Sequence, residues 1–219
     1  MSKDLASCVV VFDLDDTLYL EKDYQASGFK SVIDLLCSLY PVRRQELEKI
    51  ADKGGDVIGG FVDEVGYPSI KESLLWHYRL HSPKIRLSDD VKNLLNLLES
   101  KDIHIAILTD GRSITQRRKL LALGLDKYHV YISDEYDGHT KPNPMRFKVI
   151  ENNIPADKYV YVGDNVDKDF VAPNELGWLS IGLMPKPSFI HYANELGLSK
   201  RKQPKFWIDN LSELEDFLC

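Results

Sequence analysis

The chain has 219 residues, 43% of them hydrophobic, which is enough for one large domain or for a core with a smaller second domain. Its net charge of −6 argues against a surface that binds nucleic acid, and no apolar stretch is long enough to span a membrane. Three widely separated cysteines, Cys8, Cys37 and Cys219, suggest neither a disulfide framework nor a metal motif and, with an N-terminal segment that lacks an apolar signal region, predict a protein of the reducing cytoplasm.

The first predicted element is a short strand, residues 8–12, which is entirely apolar and rich in valine. Such a run, ended abruptly by acids, is typical of a strand that is buried on both faces of a parallel sheet. Asp13 and Asp15 follow it, at the carboxyl end where open α/β sheets bind their ligands. One carboxylate there can attack phosphorus and the other can exchange protons, provided that a cation such as Mg²⁺ offsets their charges. An isolated pair of acids after a strand more often only begins a loop or caps a helix.

The next segment, residues 20–85, has the periodicity of helices and contains no convincing strand. Predicted helices cover residues 27–40, 42–53, 59–68 (helix or loop) and 69–83. Ser27 is the expected cap of the first helix, and Ser69 with Glu72 forms a capping box at the start of the last. The segment is therefore predicted to be a helical insertion of roughly 65 residues.

From Ser88 onwards, predicted helices alternate with predicted strands. Strands are expected over residues 103–108, 129–132, 159–163, 178–182 and 205–209, and helices over 88–102, 112–124, 144–153, 169–177, 188–197 and 211–218. Ser113 and Gln116 form a second predicted capping box, and Gly124 ends the same helix. This alternation implies right-handed crossovers and a parallel sheet that is covered by helices on both faces, which is an α/β fold.

Four short motifs follow one another along the chain, three of them directly after predicted strands. DLDDT at residues 13–17 comes first, followed by Thr109 after IHIAIL, Lys141 at the start of KPNP, and Asp164 and Asp169 within GDNVDKD. In this order they resemble the four signatures of the haloacid dehalogenase-like hydrolase superfamily, the first of which has the form DxDx[TV]. One such match is weak, but four in order make the resemblance specific, and it covers nearly the whole chain.

The resemblance implies a Rossmann-like core with the first strand at the centre of a parallel sheet. Residues 1–18 and 87–219 would form this core. The helical insertion, residues 19–86, would be the small α-helical cap that some members carry between the first and second signatures. The resemblance also implies catalysis through an aspartyl-phosphate and a requirement for Mg²⁺.

The family's first signature assigns roles to its acids by resemblance. Asp13 is the expected nucleophile. Asp15 is the expected general acid and base, a residue that phosphatases and phosphomutases of the family keep and its dehalogenase branch lacks. Thr17 is expected to fix the loop through its hydroxyl. The expected metal ligands are Asp13, a backbone carbonyl at Asp15, and Asp164, because oxygen ligands suit Mg²⁺ better than zinc.

The second and third signatures are expected to bind the phosphate group. Thr109, with the backbone N–H groups of Asp110 and Gly111, would hold phosphate oxygens, since successive N–H groups in a tight turn form an anion cradle. Lys141 would neutralise both Asp13 and the phosphate, and would stabilise the charge that spreads over the oxygens in the transition state.

Two further assignments are less constrained by the motifs. Asp169 is expected to orient a water molecule or Lys141, but Asp167 has a spacing that would also suit this role. The leaving-group pocket is expected to be formed by the insertion, and Tyr19, Lys22 and Tyr24 lie nearest to its first hinge. These three residues are the candidates for substrate specificity.

The sequence predicts a Mg²⁺-dependent phosphomonoester hydrolase that acts on a small soluble phosphometabolite, a sugar phosphate or a nucleotide, through an aspartyl-phosphate. The alternatives are a phosphomutase of the same fold, a haloacid dehalogenase and a catalytically silent binding module. Asp15 disfavours the dehalogenase, and the complete set of acids disfavours the silent module. The substrate and the choice between a monomer and a dimer stay open, and neither nucleic acid nor a membrane is an expected partner.

Overall fold

The fold is built on one parallel sheet. A computed structural model of the chain describes residues 6–186, Phe189 and residues 200–218. Within these residues six strands pair in the order β3-β2-β1-β4-β5-β6, and all pairs are parallel. The strands are β1 (Ala6–Phe12), β2 (His104–Thr109), β3 (His129–Ile132), β4 (Ala156–Gly163), β5 (Leu179–Leu183) and β6 (Phe206–Ile208). The predicted α/β class and the interior position of the first strand are confirmed.

Helices cover both faces of the sheet. In the described part of the chain they are α1 (Glu21–Leu39), α2 (Arg44–Lys53), α3 (Val57–Val65), α4 (Lys71–Leu80), α5 (Asp89–Ser100), α6 (Ser113–Leu123), α7 (Met145–Asn153) and α8 (Val171–Glu175). Along β1, Val10 and Phe12 pack in the cluster that contains leucines of α5 and α6, whereas Val9 and Val11 pack in the cluster that contains Phe147 of α7. A strand that is buried on both faces needs the continuous apolar run seen in the sequence.

The strand register brings the carboxyl ends of three neighbouring strands together. Phe12, the last residue of β1, lies opposite Ile107 of β2 and Val162 of β4. Since all three strands run in one direction, the residues that follow them emerge at the same edge of the sheet. This edge carries the first, second and fourth sequence motifs.

The inserted helices α1 to α4 have a hydrophobic cluster of their own. Its fully buried members include Val32 and Leu36 of α1, Leu47 of α2 and Phe61 of α3. The insertion is bonded to α6, where Arg118 donates from Nε to the backbone oxygen of His81 at 2.8 Å. Its assignment as a separate cap, residues 19–86, stays a prediction.

Two of the predicted helix starts are wrong in detail. Helix α1 begins at Glu21, six residues before Ser27, which instead lies within the helix and accepts a hydrogen bond from the backbone N–H of Lys84 at 2.8 Å. The box predicted for Ser69 is also wrong, because a 3₁₀ turn over Pro68–Ile70 precedes α4 and no side chain caps that helix. Single-sequence capping signals fix the type of an element better than its boundary.

The capping box predicted for Ser113 and Gln116 is also wrong, because no side chain caps α6. Several other predicted elements are confirmed. The ambiguous stretch around α3 is a helix, Ser88 caps α5 by accepting from Val91 N–H at 3.3 Å, and Gly124 ends α6 with φ 68°. The last predicted helix is a 3₁₀ helix, Leu211–Phe217. The helix predicted over 188–197 lies outside the described residues, apart from Phe189. None of the described helices has the length and apolarity needed to cross a lipid bilayer.

Candidate active site

Asp13 is the first residue after β1, and its backbone continues the hydrogen bonding between β1 and β4. Its backbone N–H donates to the oxygen of Val162 at 2.8 Å, which fixes the residue next to the end of β4. The side chain is buried and contacts Nζ of Lys141, 2.5 Å from Oδ1. Burial raises the pKa of Asp13 to about 7, against the opposing charge of Lys141. The predicted nucleophile and the predicted phosphate-neutralising lysine are therefore in direct contact.

Lys141 is the buried ammonium that joins the first, third and fourth motifs. Besides Asp13, its Nζ contacts Oδ1 of Asp169 at 2.6 Å and the hydroxyl of Tyr161 at 3.0 Å. Burial opposes its charge, but the two carboxylates outweigh burial and raise the pKa of Lys141. The lysine is thus held as a cation beside Asp13, where a phosphate group would be bound.

Three buried acids converge around this lysine. Oxygens of Asp13, Asp164 and Asp169 all lie within 4.8 Å of one another. Burial raises the pKa of Asp164 to about 9, and Asp169 and Asp13 add to the effect. One ammonium cannot offset three carboxylates, so the cluster has the charge and the oxygen donors that suit a divalent cation such as Mg²⁺.

The choice between Asp167 and Asp169 is decided by geometry. Asp169 is fully buried, and its Oδ2 accepts from the backbone N–H of Asn165 at 2.8 Å. Its carboxylate lies so close to Gly163 that a Cβ at that glycine would be 2.6 Å from Oδ2. Asp167 is exposed and pairs with Lys202 at 2.9 Å. Of these two acids, only Asp169 therefore belongs to the cluster. Thr17 of the first motif donates a hydrogen bond to Asp164 at 3.1 Å and so helps to position that carboxylate.

The turn after β2 is held by side chains from three elements. Thr109 Oγ1 accepts from Nε2 of Gln116 at 2.7 Å, and the N–H of Gly111 donates to Ser133 Oγ at 2.9 Å. Arg146, buried on α7, donates to the backbone oxygen of Thr109 at 2.8 Å and contacts the carboxylate of Asp110. The predicted phosphate-binding turn is therefore tied to three neighbouring elements, and the N–H of Gly111, which was predicted to bind phosphate, already has a partner within the protein.

Asp15 lies in a separate network that the sequence did not predict. Its Oδ1 forms an ion pair with Nζ of Lys119 at 2.7 Å and accepts a hydrogen bond from the hydroxyl of Tyr19, while Oδ2 accepts from Gln116 at 2.9 Å. Burial opposes the charge of this carboxylate, but Lys119, Tyr19 and Gln116 together lower its pKa. Lys119 also lies over the ring of Tyr24, 4.5 Å from its centroid. Asp15 is accordingly held as an anion.

A small pocket of about 110 Å³ opens between these motifs. Its lining consists of Asp13, Asp15, Glu21, Thr109, Asp110, Asp164, Asn165 and Lys168. None of the three specificity candidates is among these residues, because Tyr19 and Tyr24 are buried against Asp15 and Lys119, and Lys22 is exposed on α1. Their role in specificity stays a prediction, whereas Glu21 was not predicted and reaches the pocket.

A family model described as haloacid dehalogenase-like hydrolase matches residues 10–182. The match contains all four motifs and most of the sheet. The chain belongs to this family. Its membership confirms the resemblance on which the fold and the roles of the motif residues were predicted.

Curated relatives of this haloacid dehalogenase-like hydrolase are phosphatases. Glyceraldehyde 3-phosphate phosphatase from Methanocaldococcus jannaschii is 28% identical over 80% of the chain and 84% of its own length. Ribulose-1,5-bisphosphate 5-phosphatase from Halopiger xanaduensis is 24% identical over 95% of the chain and 98% of its own length. Family membership and these relatives together identify the chain as a phosphatase of the family.

A solved structure shares the fold. The putative hydrolase YfnB from Bacillus subtilis, bound to magnesium, superposes with a TM-score of 0.67 and 20% identity, over 98% of this chain and 99% of its own. Identity at this level shows the fold alone. The acid cluster of the present chain is nevertheless composed of carboxylate oxygens only, which is the ligand type that Mg²⁺ requires.

Proposed function

We propose that this haloacid dehalogenase-like hydrolase is a Mg²⁺-dependent phosphomonoester hydrolase that transfers the phosphoryl group first to Asp13 and then to water. The observation that carries the proposal is the contact of Asp13 with Lys141 at the edge of the sheet, beside the acid cluster. A carboxylate nucleophile needs both a nearby cation and a binding site for the phosphate oxygens. Lys141 supplies the first, and the turn that begins at Thr109 supplies the second.

In the first step the carboxylate of Asp13 attacks phosphorus, and Asp15 gives a proton to the ester oxygen that leaves. Because the ion pair with Lys119 favours the anion, Asp15 must take up this proton when the substrate binds. Lys141 stabilises the charge on the phosphate oxygens during the transfer. Asp13, Asp164 and the backbone carbonyl of Asp15 would hold Mg²⁺, which would neutralise charge in the site when bound. Asp169 would act indirectly, because its contacts with Lys141, Tyr161 and Asn165 hold the lysine in position.

In the second step water attacks the aspartyl-phosphate, and Asp15 takes its proton. This step needs Asp15 as an anion, which is the form that its ion pair with Lys119 favours. The relatives named as phosphatases support transfer of the phosphoryl group to water over its return to a second substrate.

The proposed substrates are small phosphorylated sugars and related phosphometabolites. The relatives described above are named for glyceraldehyde 3-phosphate and for ribulose-1,5-bisphosphate, which are both small sugar phosphates. The small volume of the pocket also supports a compact substrate over a macromolecular one.

The experiment that tests this function measures release of inorganic phosphate from a panel of sugar phosphates, nucleotides and an aryl phosphate in the presence of Mg²⁺. We expect hydrolysis of the aryl phosphate and preferential hydrolysis of a small sugar phosphate. A protein that isomerises a sugar phosphate without releasing phosphate would be a mutase. Release of halide from a 2-haloacid without metal would indicate a dehalogenase instead.

Removal of the metal should abolish turnover. We expect EDTA to stop phosphate release and added Mg²⁺ to restore it, since the charges of three buried carboxylates and a phosphate have to be offset. Replacing Asp164 by Asn should weaken the affinity for Mg²⁺ at least about tenfold more than replacing Asp169 by Asn, because Asp169 is already engaged by Lys141 and Tyr161.

Calorimetric titration of Mg²⁺ into the two variants measures this difference directly. Asp169→Asn serves as the matched variant, because it removes the same charge from the same cluster. Full activity after exhaustive chelation, or equal metal affinities in the two variants, would contradict the proposed metal site.

A further inference from the structure

One residue of the helical insertion reaches the catalytic pocket. Among the described residues that line it, Glu21 alone comes from residues 19–86, and all others belong to the motif-bearing segments. A phosphatase of this kind binds the phosphate through its motifs, so the leaving group must meet whatever else forms the wall. Glu21 is the described side chain in this position.

The backbone holds Glu21 firmly in place. It is the first residue of α1, and its N–H donates to Oδ1 of Asp16 at 2.9 Å. Asp16 is itself buried and has φ 56°, a left-handed conformation that turns the chain sharply after Asp15. The start of α1 is thereby fixed relative to the loop that carries Asp13 and Asp15.

The carboxylate of Glu21 has no partner among the described residues. Asp13 has Lys141, Asp15 has Lys119, and Asp110 has Arg146, but Glu21 forms no hydrogen bond through its side chain and no ion pair. Burial and the nearby charge of Asp15 raise its pKa. A half-buried carboxylate in this environment gains free energy when a ligand donates a hydrogen bond to it.

Lys168 also lines the pocket without a role in the four motifs, and it lies near the predicted phosphate-binding turn. Its Nζ is 4.0 Å from Oδ2 of Asp110, in that turn. It therefore does not neutralise Glu21 through a direct pair. The charges of Lys119 and Lys168 favour the anionic form of Glu21, but neither lysine forms an ion pair with it, so its carboxylate can accept a hydrogen bond from a ligand.

We propose that Glu21 determines substrate specificity by accepting a hydrogen bond from a donor on the leaving group and by repelling leaving groups that carry a carboxylate or a second phosphate within a few bonds of the ester oxygen. This inference rests on the proposed phosphatase function and names its substrate class. The preferred substrates are phosphate monoesters with a hydroxyl or ammonium group close to the ester oxygen. Like charges brought together in a desolvated pocket discriminate more strongly than a missing contact does.

The test compares two esters of equal size in which only one group differs. Glycerol 3-phosphate carries a hydroxymethyl group where 3-phosphoglycerate carries a carboxylate. The ratio of their kcat/KM values measures the discrimination, and ethanolamine phosphate shows whether an ammonium donor is preferred to a hydroxyl. We expect the wild-type protein to favour glycerol 3-phosphate by at least about tenfold.

Glu21→Gln keeps the size of the side chain and removes its charge. We expect this variant to lower the ratio by at least about fivefold, mainly because kcat/KM for 3-phosphoglycerate rises. Glu21→Ala should change the ratio in the same direction, so the result does not depend on one variant. Asp23→Asn is the matched control, because Asp23 is an exposed acid two residues further along α1 that does not line the pocket.

Each outcome separates the two proposals. The role of Glu21 is overturned if the wild-type protein hydrolyses the aryl phosphate but prefers 3-phosphoglycerate. It is also overturned if the Glu21→Gln variant has the same ratio of kcat/KM values as the wild-type protein. Both results leave the phosphatase function intact. An equal change of this ratio in the Asp23→Asn variant overturns the role of Glu21 as well, since the ratio would then depend on the net charge of the protein and not on the pocket. A wild-type protein that releases phosphate from no ester overturns both proposals.

Discussion

Replacing Asp13 by Asn is expected to abolish phosphate release and to leave the fold intact. The amide has nearly the volume of the carboxylate but cannot form an acyl phosphate, so kcat should fall by at least about 10³-fold. Lys141 keeps Asp169 as a partner at 2.6 Å, so the buried ammonium is not left alone. Phosphate release from an aryl phosphate with Mg²⁺ measures the loss, and circular dichroism verifies the fold.

The same variant should be at least as stable as the wild-type protein when no metal is present. Burial raises the pKa of Asp13 to about 7 from its ordinary value of 3.8, so ionisation of this group opposes folding. Its contribution to stability therefore falls as the pH rises from about 4 to about 7, and the asparagine variant lacks that decline.

Denaturant unfolding in EDTA at pH 5 and pH 8 measures this effect. We expect Asp13→Asn to gain stability relative to the wild-type protein at pH 8 and to gain less at pH 5. Preserved turnover in a variant shown by mass spectrometry to be free of deamidation would assign the nucleophile to another residue. An Asp13→Asn variant that is much less stable than the wild-type protein at pH 8 would contradict the conclusion that the buried charge of Asp13 destabilises the fold.

The sequence predicted the position of the motif residues because their signals are local. Each of the three strand-end motifs follows an apolar run, and parallel strands bring their carboxyl ends to one edge of the sheet. The apolar runs before Asp13 and Asp164 were therefore sufficient to place each acid at a strand end, whereas their grouping in one site was expected from the family resemblance. The convergence of Lys141 on them was expected only from the family resemblance.

The network around Asp15 could not be predicted in the same way. Lys119 and Gln116 are 104 and 101 residues away from Asp15 in the chain, and nothing local pairs them. Gln116 was interpreted as part of a capping box, although no side chain caps α6 and the amide instead reaches Asp15 and Thr109. The spacing of three residues between Gln116 and Lys119 did place them on one face of a helix. Only the position of α6 over the first motif shows which face that is.

The specificity candidates illustrate a second limit. Closeness in sequence to the first hinge suggested Tyr19 and Tyr24, but side-chain direction depends on where α1 begins. With the helix starting at Glu21, both tyrosines are directed towards Asp15 and Lys119, and Glu21 faces the pocket. The predicted start of this helix, Ser27, lies six residues after the observed one, so Glu21 was not recognised as a residue of the pocket.

Replacing Lys119 by Met is expected to destabilise the protein by about 3 kcal/mol, because it leaves the Asp15 carboxylate without its cation. Both side chains are largely buried, with exposed fractions of 5% for Lys119 and 19% for Asp15. Because the pKa of Asp15 is lower in the folded protein than its ordinary value of 3.8, ionised Asp15 stabilises the fold at pH values above 3.8. This contribution is lost as the pH falls through the pKa of Asp15 in the folded protein. Without Lys119, the loss should begin at a higher pH.

A double-mutant cycle separates this ion pair from packing. Lys119→Met in the background of Asp15→Asn should cost much less than in the wild-type protein, which gives a coupling energy of roughly 1–3 kcal/mol in denaturant unfolding. Lys127→Met is the matched control, because its pair with Glu99 at 2.6 Å is exposed and should contribute less than about 1 kcal/mol. If the effects of the two substitutions at Lys119 and Asp15 simply add, the lysine acts only through packing. The anionic state of Asp15 would then need another cause.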